Sequence, residues 1–169
     1  MFYTIMDNLL LADSENWNFL SSQADGKGGT SFDSSSGPKE NIGRSKDAKI
    51  VIVDDDPMIK RLFTVALKRA GFNVVNSLDD GKELIEFISD LKPEEELKRP
   101  DVVLLDWTMP NLDGLETAKT LRAGFPTLKI VMVSAYALPN EAKGYFDAHL
   151  RKPVSLDDLL TTVSRVIGS

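Results

Sequence analysis

The residues best suited to chemistry lie at the ends of four apolar runs. Asp54 and Asp55 follow the first run, and Asp106 follows a second. Ser134 ends a third run, and Lys152 follows a short fourth segment. In open α/β sheets, ligands bind outside the carboxyl ends of the strands. Such ends carry three carboxylates, a hydroxyl and an ammonium here. This set of groups indicates one site that binds both a cation and an anionic group.

The three carboxylates predict a metal site. Anions held this closely repel one another, so each favours protonation unless a cation neutralises it. A divalent ion with oxygen ligands meets that need, and Mg²⁺ suits a site with few protein ligands and several waters. Taken alone, Asp54, Asp55 and Asp56 also fit a solvated turn with a helix cap. Asp106 at a second strand end favours the metal site.

Lys152 and Ser134 fit phosphoryl chemistry at Asp106. A carboxylate that attacks a phosphoryl group needs the developing charge neutralised, and a metal with an ammonium does this in other phosphoryl-transfer sites. A lysine after the last strand can reach across to Asp106, and the Ser134 hydroxyl can donate to a phosphoryl oxygen. Alone, a Lys-Pro pair is usually a surface turn and a serine there is usually a helix cap. Their order along the chain favours the chemical roles.

Strands and helices alternate five times after Ala48, and these elements must position the site. Continuous apolar runs are typical of strands that are covered on both faces. The predicted strands cover 50–53, 72–76, 101–105, 128–133 and 148–151; the predicted helices begin near Pro57, Asp79, Asp113 and Ser155, with a weak fourth helix over 137–145. This alternation predicts an α/β fold with a doubly wound, five-stranded parallel sheet in the flavodoxin-like order 2-1-3-4-5. Its switch point, between strands 1 and 3, brings the acid pair beside Asp106.

The composition changes sharply near residue 47. Ten of the 17 residues from 21 to 37 are serine or glycine, which predicts a flexible linker over 21–47. Apolar residues at 2, 5, 6 and 9 have helical spacing, so 1–20 is either a short helix or a disordered terminus. Residues 48–169 form the predicted folded domain.

Charge and composition exclude several classes of function. The net charge of −6 disfavours non-specific nucleic-acid binding, because the phosphate backbone would be repelled. No apolar run approaches the roughly 20 residues that span a bilayer, and the first 20 residues contain no lysine or arginine. The absence of cysteine fits a reducing compartment. We therefore expect a cytoplasmic protein that binds neither nucleic acid nor membrane.

The ordered segments VIVDDDP, LLDWTMPNLDG, VMVSA and RKP resemble the receiver domain of two-component response regulators, the CheY-like family. The resemblance covers about 49–169 and implies a phosphoacceptor that is not a turnover enzyme. Its partners would be a histidine kinase or histidine phosphotransfer protein and an undetermined downstream protein. The resemblance implies that Asp106 is the phosphoacceptor and that Mg²⁺ is held by Asp54, Asp55, Asp106 and the Thr108 carbonyl. It implies that Ser134 is the switch hydroxyl, that Ala135 is the small residue beside it, and that Lys152 binds the phosphoryl group. The peptide bond before the residue that matches Pro153 is commonly cis in this family.

Three departures from the family pattern affect other surfaces. Lys152 lies 18 positions after Ser134, about one helical turn closer than in receivers generally, so the fourth helix must be shortened. His149 replaces the usual switch tyrosine or phenylalanine. The connection before the third strand is lengthened by 92–99. We therefore expect a monomer or weak dimer, with His149 either in the switch or a structural imidazole bonded to a backbone carbonyl.

Two alternatives fit parts of the sequence. Asp54 and Asp56 after an apolar strand resemble the nucleophile motif of haloacid-dehalogenase-type phosphatases. Pro57 and Met58 depart from that motif, and it leaves the run after Asp106 unexplained. The second alternative is a pseudo-receiver that acts only as an interaction surface, which the complete set of site residues disfavours.

Overall fold

A computed structural model describes residues 47–169 of the chain. The segment predicted as a helix or disordered terminus (1–20) lies outside the described residues, as does all but the last residue of the predicted linker. No described helix is long and apolar enough to cross a membrane.

The described residues alternate strands with helices, as the sequence predicts. In chain order the elements are β1 (Lys49–Val53), α1 (Pro57–Arg69), β2 (Asn73–Leu78), α2 (Gly81–Ser89), a 3₁₀ helix η1 (Pro93–Lys98), β3 (Val102–Asp106), α3 (Gly114–Gly124), β4 (Lys129–Ser134), a 3₁₀ helix η2 (Asn140–Tyr145), β5 (Ala148–Arg151) and α4 (Leu156–Ile167). The charged connection before β3 is the helix η1.

The five strands form one parallel sheet in the order β2-β1-β3-β4-β5, which confirms the predicted fold. β2 extends to Leu78, two residues beyond the prediction, because Val53 pairs with Leu78 and the Asp54 N–H donates to the Leu78 carbonyl. β3 likewise includes Asp106, which pairs with Val133. The switch point therefore lies between β1 and β3, where strand order reverses.

The sheet is covered on both faces. Alternate β1 residues point to opposite sides, so Ile50 and Ile52 pack with α1 and α4, whereas Val51 and Val53 pack with α2 and α3. All four side chains are buried. This double burial explains why 50–53 in β1 and 102–105 in β3 are uniformly apolar, with a carboxylate directly after each run.

The predicted shortening of the fourth helix is confirmed, since only η2 lies between β4 and β5. Ala142 is its one buried residue. A polar cluster anchors its end: the Arg122 guanidinium donates to the carbonyls of Tyr145 (3.0 Å) and Leu128 (2.7 Å) and pairs with Asp147. Asp147 in turn accepts from the Ile130 N–H at 2.8 Å. Hydrogen bonds and an ion pair therefore fix the end of a segment that has little apolar packing of its own.

Arg122→Ala should therefore lower the free energy of unfolding by about 2 kcal/mol, because it leaves partly buried carbonyls and Asp147 without their donor. Lys119→Ala is the matched control on the same helix, since its pair with Glu116 is exposed and solvent screens the attraction between the two charges. Denaturant unfolding measures both variants. Equal losses would show that the Arg122 cluster contributes no more than a surface ion pair.

Candidate functional site

The site lies at the carboxyl ends of β1, β3, β4 and β5. Asp54 follows β1, Asp106 and Ser134 are the last residues of β3 and β4, and Lys152 follows β5. Asp54 is 2% exposed and Asp106 is 5% exposed, whereas Asp55 is exposed. The structure thus brings together all the strand-end residues that the sequence singled out.

Lys152 is the link between the two acidic strand ends. Its Nζ lies 2.7 Å from Asp106 Oδ1 and 2.8 Å from Asp54 Oδ2. Its reach from β5 across to β3, predicted from the sequence, is therefore observed, and the Lys152–Pro153 peptide bond is cis, as the resemblance implied. The second Asp54 oxygen accepts from the Asp56 N–H at 2.9 Å.

The two sides of the ion pair respond to burial differently. Burial raises the pKa of Asp106; hydrogen bonding to Lys152 opposes the rise without cancelling it, and nearby Asp54 adds to it. Burial acts to lower the pKa of Lys152, but the hydrogen bonds to Asp106 and Asp54 leave that pKa raised overall. We therefore assign a firmly protonated lysine beside a carboxylate that is costly to ionise without a further cation.

The acidic cluster fits a hard divalent ion. One carboxylate oxygen from each of Asp54, Asp55 and Asp106 lies within 4.8 Å of the others. Three such oxygens, one of them on an exposed residue, match the preference of Mg²⁺ for a few carboxylates with water completing the shell. The Thr108 N–H donates to Asp106 Oδ2 at 3.0 Å, which places Thr108 at this cluster. A metal ligand role for its carbonyl stays a prediction.

Local backbone features hold these side chains in place. Asp56 caps α1 through the N–H groups of Met58 (2.8 Å) and Ile59, with Pro57 in the first turn. Gly114 opens α3 so close to β3 that an added Cβ would lie 2.4 Å from the Asp106 carbonyl oxygen. Any larger residue there would push the end of β3 away from the site.

The backbone of Tyr136, a residue not predicted from the sequence, contacts both Ser134 and His149. The Tyr136 N–H donates to Ser134 Oγ at 3.0 Å, and its side chain is 69% exposed. An aromatic residue two positions after a strand-end hydroxyl was the available signal. Ala135, between them, is exposed and adds little bulk beside the site.

The surroundings of His149 favour the neutral imidazole and leave one of its ring nitrogens without a hydrogen bond. Burial lowers its pKa, the charge of Arg151 lowers it further, and a hydrogen bond to the Tyr136 backbone acts in the opposite direction. Its Nε2 is buried with no hydrogen-bond partner among residues 47–169. The backbone contact is the structural role considered from the sequence, while the unpartnered nitrogen leaves a switching role open.

A family model described as the response regulator receiver domain matches residues 50–164. The response regulator MprA of Mycolicibacterium vanbaalenii is 32% identical over 123 residues, which cover 70% of this chain and 50% of that protein. The DNA-binding transcriptional regulator NtrC of Escherichia coli is 31% identical over 122 residues, 69% of this chain and 24% of that protein. The chain therefore spans between a quarter and a half of these relatives' length.

Solved structures give the same result. The chemotaxis response regulator CheY4 of Vibrio cholerae matches with a TM-score of 0.61 and 28% identity, covering 70% of this chain and 98% of that one. The family match runs from the first strand into the last helix, and it includes every residue of the strand-end cluster. The protein belongs to the response regulator receiver domain family of two-component signal transduction.

Proposed function

We propose that Asp106 accepts a phosphoryl group from the phosphohistidine of a histidine kinase or histidine phosphotransfer protein. The observation that carries this proposal is the Lys152 ammonium held between Asp106 and Asp54, with a third carboxylate alongside. Phosphoryl transfer depends mainly on positioning and charge stabilisation, and this arrangement supplies both.

In the proposed reaction, an Asp106 oxygen bonds to phosphorus as the bond between phosphorus and the donor imidazole nitrogen breaks. Lys152 neutralises charge on the equatorial oxygens, and the Ser134 hydroxyl donates to one of them. Mg²⁺, held by Asp54, Asp55, Asp106 and the Thr108 carbonyl, would supply the remaining positive charge. The product is an aspartyl phosphate with about −1.5 to −2 units of charge.

The phosphatase alternative is weakened by the position of Asp56. Its carboxylate caps α1 and lies outside the cluster of Asp54, Asp55 and Asp106. The second acid of that motif therefore does not face the site. We propose that the domain transfers phosphate to itself and does not turn over a separate ester, and assay with a small phosphate ester tests this point.

Signal output is proposed to leave through the face around His149 by contact with a downstream protein. A depression there is lined by Ala137, Leu138, Lys143, Phe146, Ala148, His149 and Arg151. Movement of Ser134 toward a phosphoryl group would compete with the hydrogen bond from Tyr136, whose backbone also contacts His149. Neither nucleic acid nor membrane is part of this proposal; a cytoplasmic location and a monomer or weak dimer remain predictions.

The direct test is phosphorylation of the full chain. Incubation with a panel of phosphorylated histidine kinases, or with acetyl phosphate and Mg²⁺, should add one acid-stable, base-labile phosphoryl group, seen by intact-mass spectrometry. Excess EDTA should prevent the labelling. Absence of label with every donor, in protein shown to be folded, would contradict the proposal.

Asp55→Ala should weaken Mg²⁺ binding by at least about ten-fold while the domain stays folded. Asp55 is exposed, and Asp54 and Asp106 keep their contacts with Lys152. Removing one of several repelling carboxylates should leave metal-free stability unchanged or slightly higher. Thermal unfolding with increasing Mg²⁺ measures the affinity, because an ion that binds only the folded state raises the Tm. Asp90→Ala, an exposed acid at the far end of α2, is the control.

His149→Ala and His149→Phe test the output face. We expect both to be phosphorylated at the wild-type rate, since His149 does not contact Asp106, but to change the ratio of the downstream partner's affinities for the phosphorylated and unphosphorylated domain. Because the pKa of His149 is lowered, this ratio in the wild type should not change near neutral pH. Should both variants keep the wild-type ratio, His149 is structural and the signal leaves elsewhere.

A further inference from the structure

Asp80 is a buried carboxylate that lies outside the acidic cluster. It is 6% exposed and caps α2 by accepting from the Glu83 N–H at 2.9 Å. Its second oxygen accepts from the Asn111 side-chain amide, 31 residues along the chain. These two hydrogen bonds are the principal reason that the pKa of Asp80 is lowered, the Glu83 N–H contributing most. One carboxylate therefore joins the start of α2 to the loop that follows Asp106.

That loop, 107–113, has little freedom. The Thr108 N–H donates to Asp106, the last residue of β3, and the Gly114 N–H donates to the Trp107 carbonyl at 3.0 Å, so the far end of the loop is bonded back to its first residue. Met109 is buried in the core. Asn111 has a left-handed backbone with φ of 60°, a conformation that asparagine adopts more readily than most residues.

The start of α2 presses directly against this region. A Cβ added to Gly81 would lie 1.8 Å from Thr117 Oγ1 and 3.0 Å from the Leu112 carbonyl oxygen. The Leu112 N–H also donates to the Pro110 carbonyl at 2.7 Å, which closes a tight turn. The Asp80–Asn111 hydrogen bond therefore joins α2 to the loop at a place where Gly81 packs too tightly against Thr117 and Leu112 for either segment to shift.

We infer that Asp80 and Asn111 form a positioning pair that holds the 107–113 loop in its metal-binding conformation. The inference rests on the proposed function, because Thr108 within this loop is the proposed backbone ligand. Partners of this kind, which touch no metal but fix a ligand, typically change metal affinity by about ten-fold or more when removed. Asp80 and Asn111 are positioning residues and not catalytic ones.

Asn111→Asp gives the sharpest test. It keeps a residue that tolerates positive φ but places a second carboxylate against Asp80. The added negative charge alone would strengthen Mg²⁺ binding, so a loss of affinity has the opposite sign to the electrostatic effect. We expect a loss of about ten-fold. Asn111→Gly, which also accepts this backbone but lacks the amide, should show a loss as well.

The double variant D80N/N111D should recover most of the lost affinity. It exchanges donor and acceptor, so one amide again faces one carboxylate, and asparagine caps helices about as well as aspartate. Asp80→Asn alone should have the smaller effect, because an amide flip lets the two side chains bond. Asn73→Ala, an exposed site on β2 away from the loop, is the control.

Mg²⁺ affinity is read from Trp107 fluorescence in a Trp17→Phe background, and unfolding free energy is measured separately in EDTA. If the pair is purely structural, Asn111→Asp will lower the unfolding free energy and leave the Mg²⁺ affinity at the wild-type value, and that result overturns the inference. A double variant that binds Mg²⁺ as weakly as Asn111→Asp overturns it too. Wild-type protein that binds no Mg²⁺ overturns the proposed metal site together with the pair.

Discussion

Asp106→Asn should abolish phosphoryl labelling entirely. The variant keeps the shape of the side chain and one acceptor oxygen for Lys152, but an amide oxygen is far too weak a nucleophile to take a phosphoryl group. Peptide mapping of labelled wild-type protein should place the phosphate on Asp106, and the variant should show none above the EDTA blank. Persistent label on the variant at Asp54 or Asp55 would show that the phosphoacceptor is wrongly assigned.

The same substitution should stabilise the metal-free protein at neutral pH. Burial raises the pKa of Asp106, so the folded state binds this proton more tightly than the unfolded chain does. That contribution to stability is complete below the ordinary aspartate range and is lost as pH rises through the raised folded-state pKa. Asparagine carries no such charge. The unfolding free energy of Asp106→Asn relative to wild type in EDTA should therefore increase between about pH 4 and pH 7.

Lys152→Ala should reduce the labelling rate by about a hundred-fold or more, because the transferring group loses the cation that neutralises its charge. Removal of the ammonium also leaves Asp54 and Asp106 buried together without a partner. In metal-free protein this should lower the unfolding free energy by about 1 to 3 kcal/mol, less than for a fully buried pair because the lysine side chain is partly exposed.

Lys49→Ala is the matched control for Lys152→Ala. Lys49 also pairs with an aspartate, Asp101, at 3.3 Å, but at the amino-terminal end of β1, away from the site at the carboxyl ends. It should label at the wild-type rate. Initial rates with acetyl phosphate at fixed Mg²⁺ compare the two variants. A Lys152→Ala rate within a few-fold of the control would remove the lysine from the proposed mechanism.

The strand ends were predictable because burial on both faces leaves an unambiguous sequence pattern. In β1 and β3, a run of four apolar residues leads directly to a carboxylate, and the strand order follows from the alternation with helices. Which acid of the first pair turns inward did not follow from the sequence. Asp54 is buried and Asp55 exposed because Lys152 and the Asp56 N–H both bond Asp54, and these contacts depend on the assembled site.

Polar contacts between distant segments were also missed. Arg122 and Asp147 are 25 residues apart, and Asp80 and Asn111 are 31 apart, so no periodicity links either pair. Each residue taken alone reads as an ordinary helix end or turn. The predicted helix start near Asp113 set the end of the loop after Asp106, but the bond from this loop to α2 depends on how closely the starts of α2 and α3 pack.

The replacement of a full helix by η2 has a consequence for how a partner can be recognised. A segment with one buried residue, held at its end mainly by the hydrogen bond from Arg122 to Tyr145, should open at a small fraction of the global unfolding free energy, whereas the strands should open only with the whole domain. Its amides should therefore exchange with solvent early, well before those of β1 and β3. A protein that binds this face can select or induce a different conformation of η2 without disturbing the sheet. Because binding must order the segment, affinity is lower, but the same segment can fit more than one partner.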